Sequence, residues 1–194
     1  MKNKLILFTL LSVTLTGCSL FYPINTQVDE FKNTKKTTLE IGVLPTENLI
    51  NNVTSTNITV EKSVSEKGES LTAYFVLNRS LSSFNLEKGC FIKASGKSYE
   101  TSISDQQTAN RSQLISRTES SSVKDSTKVK TESKTMSNSF DWYEEKFIIH
   151  FTPEMVESIK NTNELTFRFY LGPKQATFKI SGIPLKRIKK LLSI

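Results

Sequence analysis

The chain has 194 residues, 37% of them hydrophobic and 23% charged, and a formal net charge of +7. That length holds one hydrophobic core and gives no sign of a second, while two cysteines and a single histidine exclude a disulfide framework and a clustered zinc-type ligand set. Seven glycines leave little room for a phosphate-cradling loop, and the nucleophile-elbow and metalloprotease-helix motifs do not occur.

The chain opens with a short cationic stretch, Met1-Lys2-Asn3-Lys4, followed by an apolar run from Leu5 to Leu15 broken only by hydroxyl residues. Positive charge followed by an apolar run is the pattern of an export signal. The run is far shorter than the roughly 20 residues a permanent membrane span needs, so cleavage is expected rather than retention. Leu15-Thr16-Gly17-Cys18 then resembles the lipobox of bacterial lipoproteins: a leucine, two small residues and a cysteine.

The resemblance covers only Met1–Cys18 and implies a signal peptide over Met1–Gly17. It further implies a diacylglyceryl group on the Cys18 sulfur, cleavage before Cys18, and acylation, typically with palmitate, of the new terminus. Two or more acyl chains anchor durably where one binds only marginally. The expected location is the cell envelope, on the non-cytoplasmic side of a membrane. Ser19 is compatible, by the sorting rules of that family, with an outer membrane where the cell has one. Removing Lys2 and Lys4 from the total of +7 leaves +5. A basic protein in that compartment meets anionic headgroups, acidic wall polymers or another envelope protein, and nucleic acid is disfavoured as a partner.

From Cys18 to Thr38 the chain is mostly polar, with Lys32, Lys35 and Lys36 near the end, which suits a linker (18–38) ahead of a single domain (39–194). Leu39, Ile41 and Val43 alternate as a first strand stopped by Pro45. Ile58 and Val60 share a face, Glu66-Lys67-Gly68-Glu69 supplies a turn, and Leu71–Leu77 returns as the second arm of an antiparallel hairpin. A second hairpin joins Cys90–Ala94 to Ser98–Ile103 across Ser95-Gly96-Lys97, with Cys90 and Ile92 on one face.

Residues 104–139 then turn to Ser, Thr, Lys and Gln, with no aromatic residue, glycine or proline, and cannot build a core of their own. A structureless insertion of that length is uncommon, and Val123, Thr127, Val129 and Thr131 alternate with lysines, so an extended polar β-arm is expected. Two roles stay open for it: a contact surface for a partner, or a passive insertion of the kind surface loops accept.

Lys146–Phe151 predicts a central strand with both faces largely apolar. Thr152-Pro153-Glu154 is a helix start, with Thr152 as N-cap, Pro153 in the first turn and Glu154 complementing the dipole. That helix ends near Asn161, and Leu165, Phe167, Phe169 and Leu171 alternate as the next strand. Whether the helix joins parallel or antiparallel strands stays open. After a Gly172-Pro173 turn, Ala176, Phe178 and Ile180 share a strand face. Gly182 and Pro184 then start a terminal helix with Leu185, Ile188, Leu191 and Leu192 on one side and Lys186, Arg187, Lys189 and Lys190 on the other. Capping of the sheet by this helix is favoured over lying on lipid. The predicted fold class is α+β: a mixed, mainly antiparallel sheet with two short helices and the long polar arm.

The residues offering chemistry are few. His150 lies in an apolar strand. Cys90 lacks the glycine-rich or helix-terminal setting that lowers a thiol pKa, so a Cys90–His150 dyad is disfavoured. Glu144 and Glu145, adjacent in a strand, point to opposite faces and suit solvated charge rather than paired acid and base work. Arg168, between two inward phenylalanines, belongs on the solvent face, although it could clamp an anion there. No cofactor, metal or catalytic residue is expected, and Cys18 is the one assigned site, for lipid. The leading functional expectation is a non-catalytic binding or structural accessory lipoprotein. A lipoprotein holding a ligand in a sheet-helix pocket is the alternative, and an envelope hydrolase trails both.

Overall fold

The structure, a computed structural model, describes residues 22–46, 53–125 and 128–194, and within 119–134 the backbone alone. The leader Met1–Gly17 and the lipid site Cys18 therefore lie outside the described residues.

Among the described residues ten strands and two helices follow in chain order: β1 (Ile24–Asp29), β2 (Thr34–Val43), β3 (Val53–Ser65), β4 (Gly68–Ser80), β5 (Leu86–Ala94), β6 (Lys97–Ser102), β7 (Ser104–Asp125), β8 (Lys128–Phe151), α1 (Pro153–Asn161), β9 (Glu164–Leu171), β10 (Lys174–Ser181) and α2 (Gly182–Ser193). The predicted α+β class holds, with the strands divided between two sheets. Six form one sheet in the order β1-β2-β3-β4-β8-β7, and four form another in the order β10-β9-β5-β6. Every pairing is antiparallel. The question left open around α1 is answered by neither alternative, because the helix carries the chain from β8 in one sheet to β9 in the other.

The sheets pack face to face through the residues that alternation places inward. Phe75 of β4 and Phe147 of β8 stack with ring centroids 4.9 Å apart, and both meet Phe169 of β9 edge-on, at 5.3 and 5.2 Å. Phe167 closes on Phe75 at 5.2 Å and Phe178 on Phe169 at 5.9 Å. These five rings are essentially inaccessible. Each burial contributes about 1.5–3 kcal/mol, with roughly 0.5–1.5 more for well-oriented ring pairs. Cys90 and Ile92, Leu165 and Leu171, and Ile58 and Val60 complete the interior as the period-two pattern requires.

Two features depart from the linear reading. The segment expected as a linker already forms structure from its described start: β1 pairs with β2 from Ile24↔Leu39 to Asp29↔Thr34, and Tyr22 and Ile24 pack on the core. The last turn of sequence before Leu39 is thus strand rather than spacer. β8 is flanked on both sides, by β4 and β7, yet only one of its faces is dry: Glu145, Phe147 and Ile149 are buried and Phe151 packs on the core, while Lys146 and His150 are exposed on the outer face. The terminal helix begins at Gly182, whose φ of +60° suits a residue without a Cβ, and Pro184 falls within its first turn where its missing N–H costs nothing.

Thr152 caps α1 as its sequence implies, accepting from Met155 N at 3.3 Å, and Met155 and Ile159 are buried. Leu185, Ile188, Leu191 and Leu192 of α2 are buried as well, so that helix caps the core.

Candidate functional site

The feature that sets this molecule apart from a plain sandwich is the ribbon formed by β7 and β8. The chain leaves β6 at the buried Ile103, whose N–H donates to Lys88 O at 2.9 Å, and enters the other sheet through an irregularity between Ser104 and Gln107. Asp105 takes a left-handed φ of +51° there, a conformation that aspartate tolerates better than most residues. From Ser104↔Ile148 the ladder of β7 and β8 runs to Asp125↔Lys128. The partner strand β4 stops at Ser80↔Trp142. Beyond Trp142 the pair continues alone: Ser112–Asp125 against Lys128–Asp141 is a two-stranded ribbon about 45 Å long at 3.3 Å per residue. The extended arm expected from the sequence is therefore present as a two-stranded antiparallel ribbon.

Its near half has two distinct faces. Opposed residues share a face in an antiparallel pair, so the register Gln113↔Phe140, Ile115↔Asn138 and Arg117↔Met136 puts Ile115, Met136 and Phe140 on one side, in line with Trp142. Ile115 is 54% exposed, Met136 47% and Phe140 52%. Phe140 leans on Trp142 with centroids 5.7 Å apart, and the indole N–H donates to Asn78 Oδ1 at 3.1 Å, fixing the stripe to the body. The opposite side carries mainly hydroxyls around a single exposed Leu114: Ser112 Oγ lies 3.2 Å from Ser139 Oγ, and Thr118 Oγ1 lies 3.2 Å from Thr135 Oγ1. Hydrogen bonds from Ser112 and Ser139 hold the Asp141 carboxyl below its ordinary pKa.

The root of the ribbon is a buried ion pair. Arg79, at the end of β4, is 2% exposed and Glu145 of β8 is fully buried. Arg79 Nη2 and Nε both meet Glu145 Oε1, at 2.7 and 2.8 Å. Thr108 of β7 donates to Glu145 Oε2 at 2.7 Å and Gln106 Nε2 does so at 3.4 Å. Arg79 Nη1 donates to Ser83 Oγ at 2.8 Å, and the guanidinium lies over the Tyr143 ring, 4.3 Å from its centroid. A charge taken out of water costs several kcal/mol unless its hydrogen-bonding capacity is filled, and here it is filled by residues of β4, β7, β8 and the following loop. No buried side-chain nitrogen or oxygen lacks a partner among the described residues. Glu145 is thus not the solvated charge its sequence suggests. Glu144 does face outward, where Arg111 Nη2 at 2.8 Å holds its pKa down.

The remaining sequence candidates are dispersed. Cys90 is inaccessible in the core and burial pushes its thiol up to about 12. His150 is on the outer face of the other sheet, beside Thr72 Oγ1 at 3.3 Å, so the two do not face each other. Arg168 is exposed, as its parity requires, with Nε donating to Thr177 Oγ1 at 3.3 Å. Together with Phe91, Lys93, Thr166 and Tyr170 it lines a shallow groove of about 440 Å³ on the outer face of the four-stranded sheet. A second cleft, about 360 Å³, opens where the six-stranded sheet meets both helices, between Lys62, Leu71, Phe151, Val156 and Leu192.

Sequence inspection did not single out Arg79, but the signal is there: Ala73, Phe75 and Leu77 place position 79 on the inward side, as Phe147 and Ile149 place position 145. The fold and ribbon define an antiparallel β-sandwich bearing a rigidly rooted β-arm. No family profile, curated protein or solved structure matches the chain.

Proposed function

We propose that the protein is a lipid-anchored bacterial envelope lipoprotein, a non-catalytic binding or structural accessory protein that uses the ribbon to engage another envelope protein. The observation that carries this is the free-standing ribbon with its exposed Ile115, Met136 and Phe140 stripe. A two-stranded hairpin in water is marginal by itself, and beyond Trp142 both of its edges offer unpaired backbone groups to an extended segment of a partner. The buried pair at the root holds the ribbon in a fixed relation to the sandwich, which reduces the ordering cost of binding. The lipobox-like Leu15-Thr16-Gly17-Cys18 supports the envelope setting.

The test places a photocrosslinking residue at Phe140 in living cells and, as a control, at Lys93 on the far sheet. A discrete adduct from position 140, abolished in Ile115→Ser/Phe140→Ser and absent from position 93, is expected. Equal crosslinking from both positions refutes the arm as the contact element. Replacing Ser112–Asp141 with an Asn-Gly turn between the opposed Arg111 and Trp142 removes the ribbon but keeps Gln106, Thr108 and the ion pair. That variant is expected to fold, to reach the membrane and to lose the adduct partner. Mass spectrometry of the terminal peptide tests the anchor: acyl mass on Cys18 is expected, and an unmodified thiol in a chain retaining Met1–Gly17 overturns it.

The cleft between sheet and helices favours a second reading, a ligand-binding lipoprotein, because apolar Leu71, Phe151 and Val156 floor it beneath Lys62 and Glu69. Val156→Arg, at a half-buried position on the helix side of the cleft, puts a charge into that space and separates the two: with an unchanged thermal melt, it abolishes function only under the second reading.

A further inference from the structure

The terminal helix has two faces of different use. Its inner stripe is buried in the core, but Ile183 in its first turn is 47% exposed on the outer side, and Ile194, the C-cap residue just past its last turn, is 46% exposed. Between them on that side lie Lys186 and Lys190, both exposed, flanked by the half-buried Arg187 and Lys189. No acidic residue occurs anywhere in Gly182–Ser193. An outer surface with apolar ends and four cations between them is the pattern that sits on anionic headgroups.

The position of the helix relative to the chain start gives the second observation. Arg187 Nε donates to Tyr22 O at 2.9 Å, tying α2 to the first described residue. Tyr22 is four residues from Cys18, a distance of at most about 14 Å even fully extended. We propose that α2 is a membrane-docking surface: its Ile183, Lys186, Arg187, Lys190 and Ile194 face rests on anionic lipid, orienting the sandwich on the bilayer. The proposal rests on the lipid-anchor reading above, since the acylated residue is what brings this face to the surface. A long spacer would let the domain tumble, whereas four residues hold the face that surrounds Tyr22 within reach of the headgroups. The helix therefore seals the core with one side and meets lipid with the other.

The test uses the mature chain with Cys18→Ser, so that binding owes nothing to acyl chains, in sedimentation with phosphatidylcholine vesicles with and without phosphatidylglycerol. Partition onto the anionic vesicles alone, weakening as salt rises, is expected. Lys186→Gln/Lys190→Gln should lower that partition about 25-fold, at roughly 1 kcal/mol for each cation near a charged surface. Lys93→Gln/Lys179→Gln, the same charge change on the outer face of the four-stranded sheet, should alter it by less than about twofold. All four positions are exposed, and unchanged thermal melts establish folding. Equal binding to neutral vesicles, no detectable binding to anionic ones, or equal effects of the two double variants overturns the proposal. The acyl mass on the wild-type chain is read separately, so failure of the anchor and failure of the helix contact register as different results.

Discussion

Converting Glu145 to glutamine changes one oxygen to an amide nitrogen at nearly constant volume, yet it should be among the most damaging substitutions in this chain. The carboxylate accepts from both Arg79 Nη2 and Nε, from Thr108 and from Gln106, all in a site from which water is excluded. In Glu145→Gln the guanidinium stays buried with its countercharge gone, and whichever way the amide is turned one set of donors meets another. Breaking a buried pair from one side costs about 3–5 kcal/mol, against a total stability of about 5–15 kcal/mol for a domain. At about 2–4 °C per kcal/mol for a domain of this size, the melting temperature should fall by about 6–20 °C. Calorimetry and urea titration of Glu145→Gln, of Arg79→Met and of the double Arg79→Met/Glu145→Leu measure it. The double variant should recover much of the loss, because an apolar replacement of both partners leaves no orphaned charge. A Glu145→Gln protein within about 1 kcal/mol of wild type would refute the argument. The penalty should also survive high salt, since a dry pair is not screened.

Phe169→Ala should cost about 3–5 kcal/mol by the same titration, because Phe169 touches Phe75, Phe147 and Phe178 and leaves a cavity that rigid sheets cannot close. Gly172→Ala should lower the melting temperature while Gly89→Ala leaves it nearly unchanged. Gly172 has φ +58° and its added Cβ would lie 2.9 Å from Phe84 Cγ, whereas a Cβ at Gly89 meets nothing within 4 Å. Burial raises the Cys90 thiol from its ordinary 9.0 to about 12, so the unfolded chain loses its proton first as pH rises. Its contribution to stability is complete below about pH 9 and should decline between there and about pH 12, as pH-dependent urea melts of wild type and Cys90→Ala would reveal. Native Cys90 should resist iodoacetamide near pH 8 until the protein is unfolded. Thr152→Ala removes the cap on Met155 N and should cost about 1 kcal/mol by urea denaturation.

Much of this fold is written in alternation. Runs of alternating apolar residues in β3, β4, β5, β9 and β10, namely Ile58–Val60, Ala73–Leu77, Cys90–Ala94, Leu165–Leu171 and Ala176–Ile180, fill the interior. Thr152-Pro153-Glu154 marks a helix start by local chemistry alone. Alternation states which side of a strand is dry, but not which sheet the strand joins, and so the division into two sheets was not legible. β1 escaped because INTQVD has little apolar content and is held by its ladder to β2. Arg79 and Glu145 escaped because charge in a strand is ordinarily assigned to water, although parity with Phe75 and Phe147 pointed inward. The ribbon's length was visible as an absence of core residues. Its apolar stripe was not, since Ile115, Met136 and Phe140 are far apart in sequence and meet only once the register is set.

A projection about 45 Å long, clamped at one end, behaves as a cantilever. Any sideways load at its tip produces the greatest bending moment at the clamp, where Arg79, Thr108, Tyr143 and Glu145 bind three strands together. Hydrogen bonds spaced along the ladder peel one at a time, whereas a desolvated cluster resists until it ruptures as a whole, so displacement at the far end is transmitted to the sandwich rather than dissipated along the way.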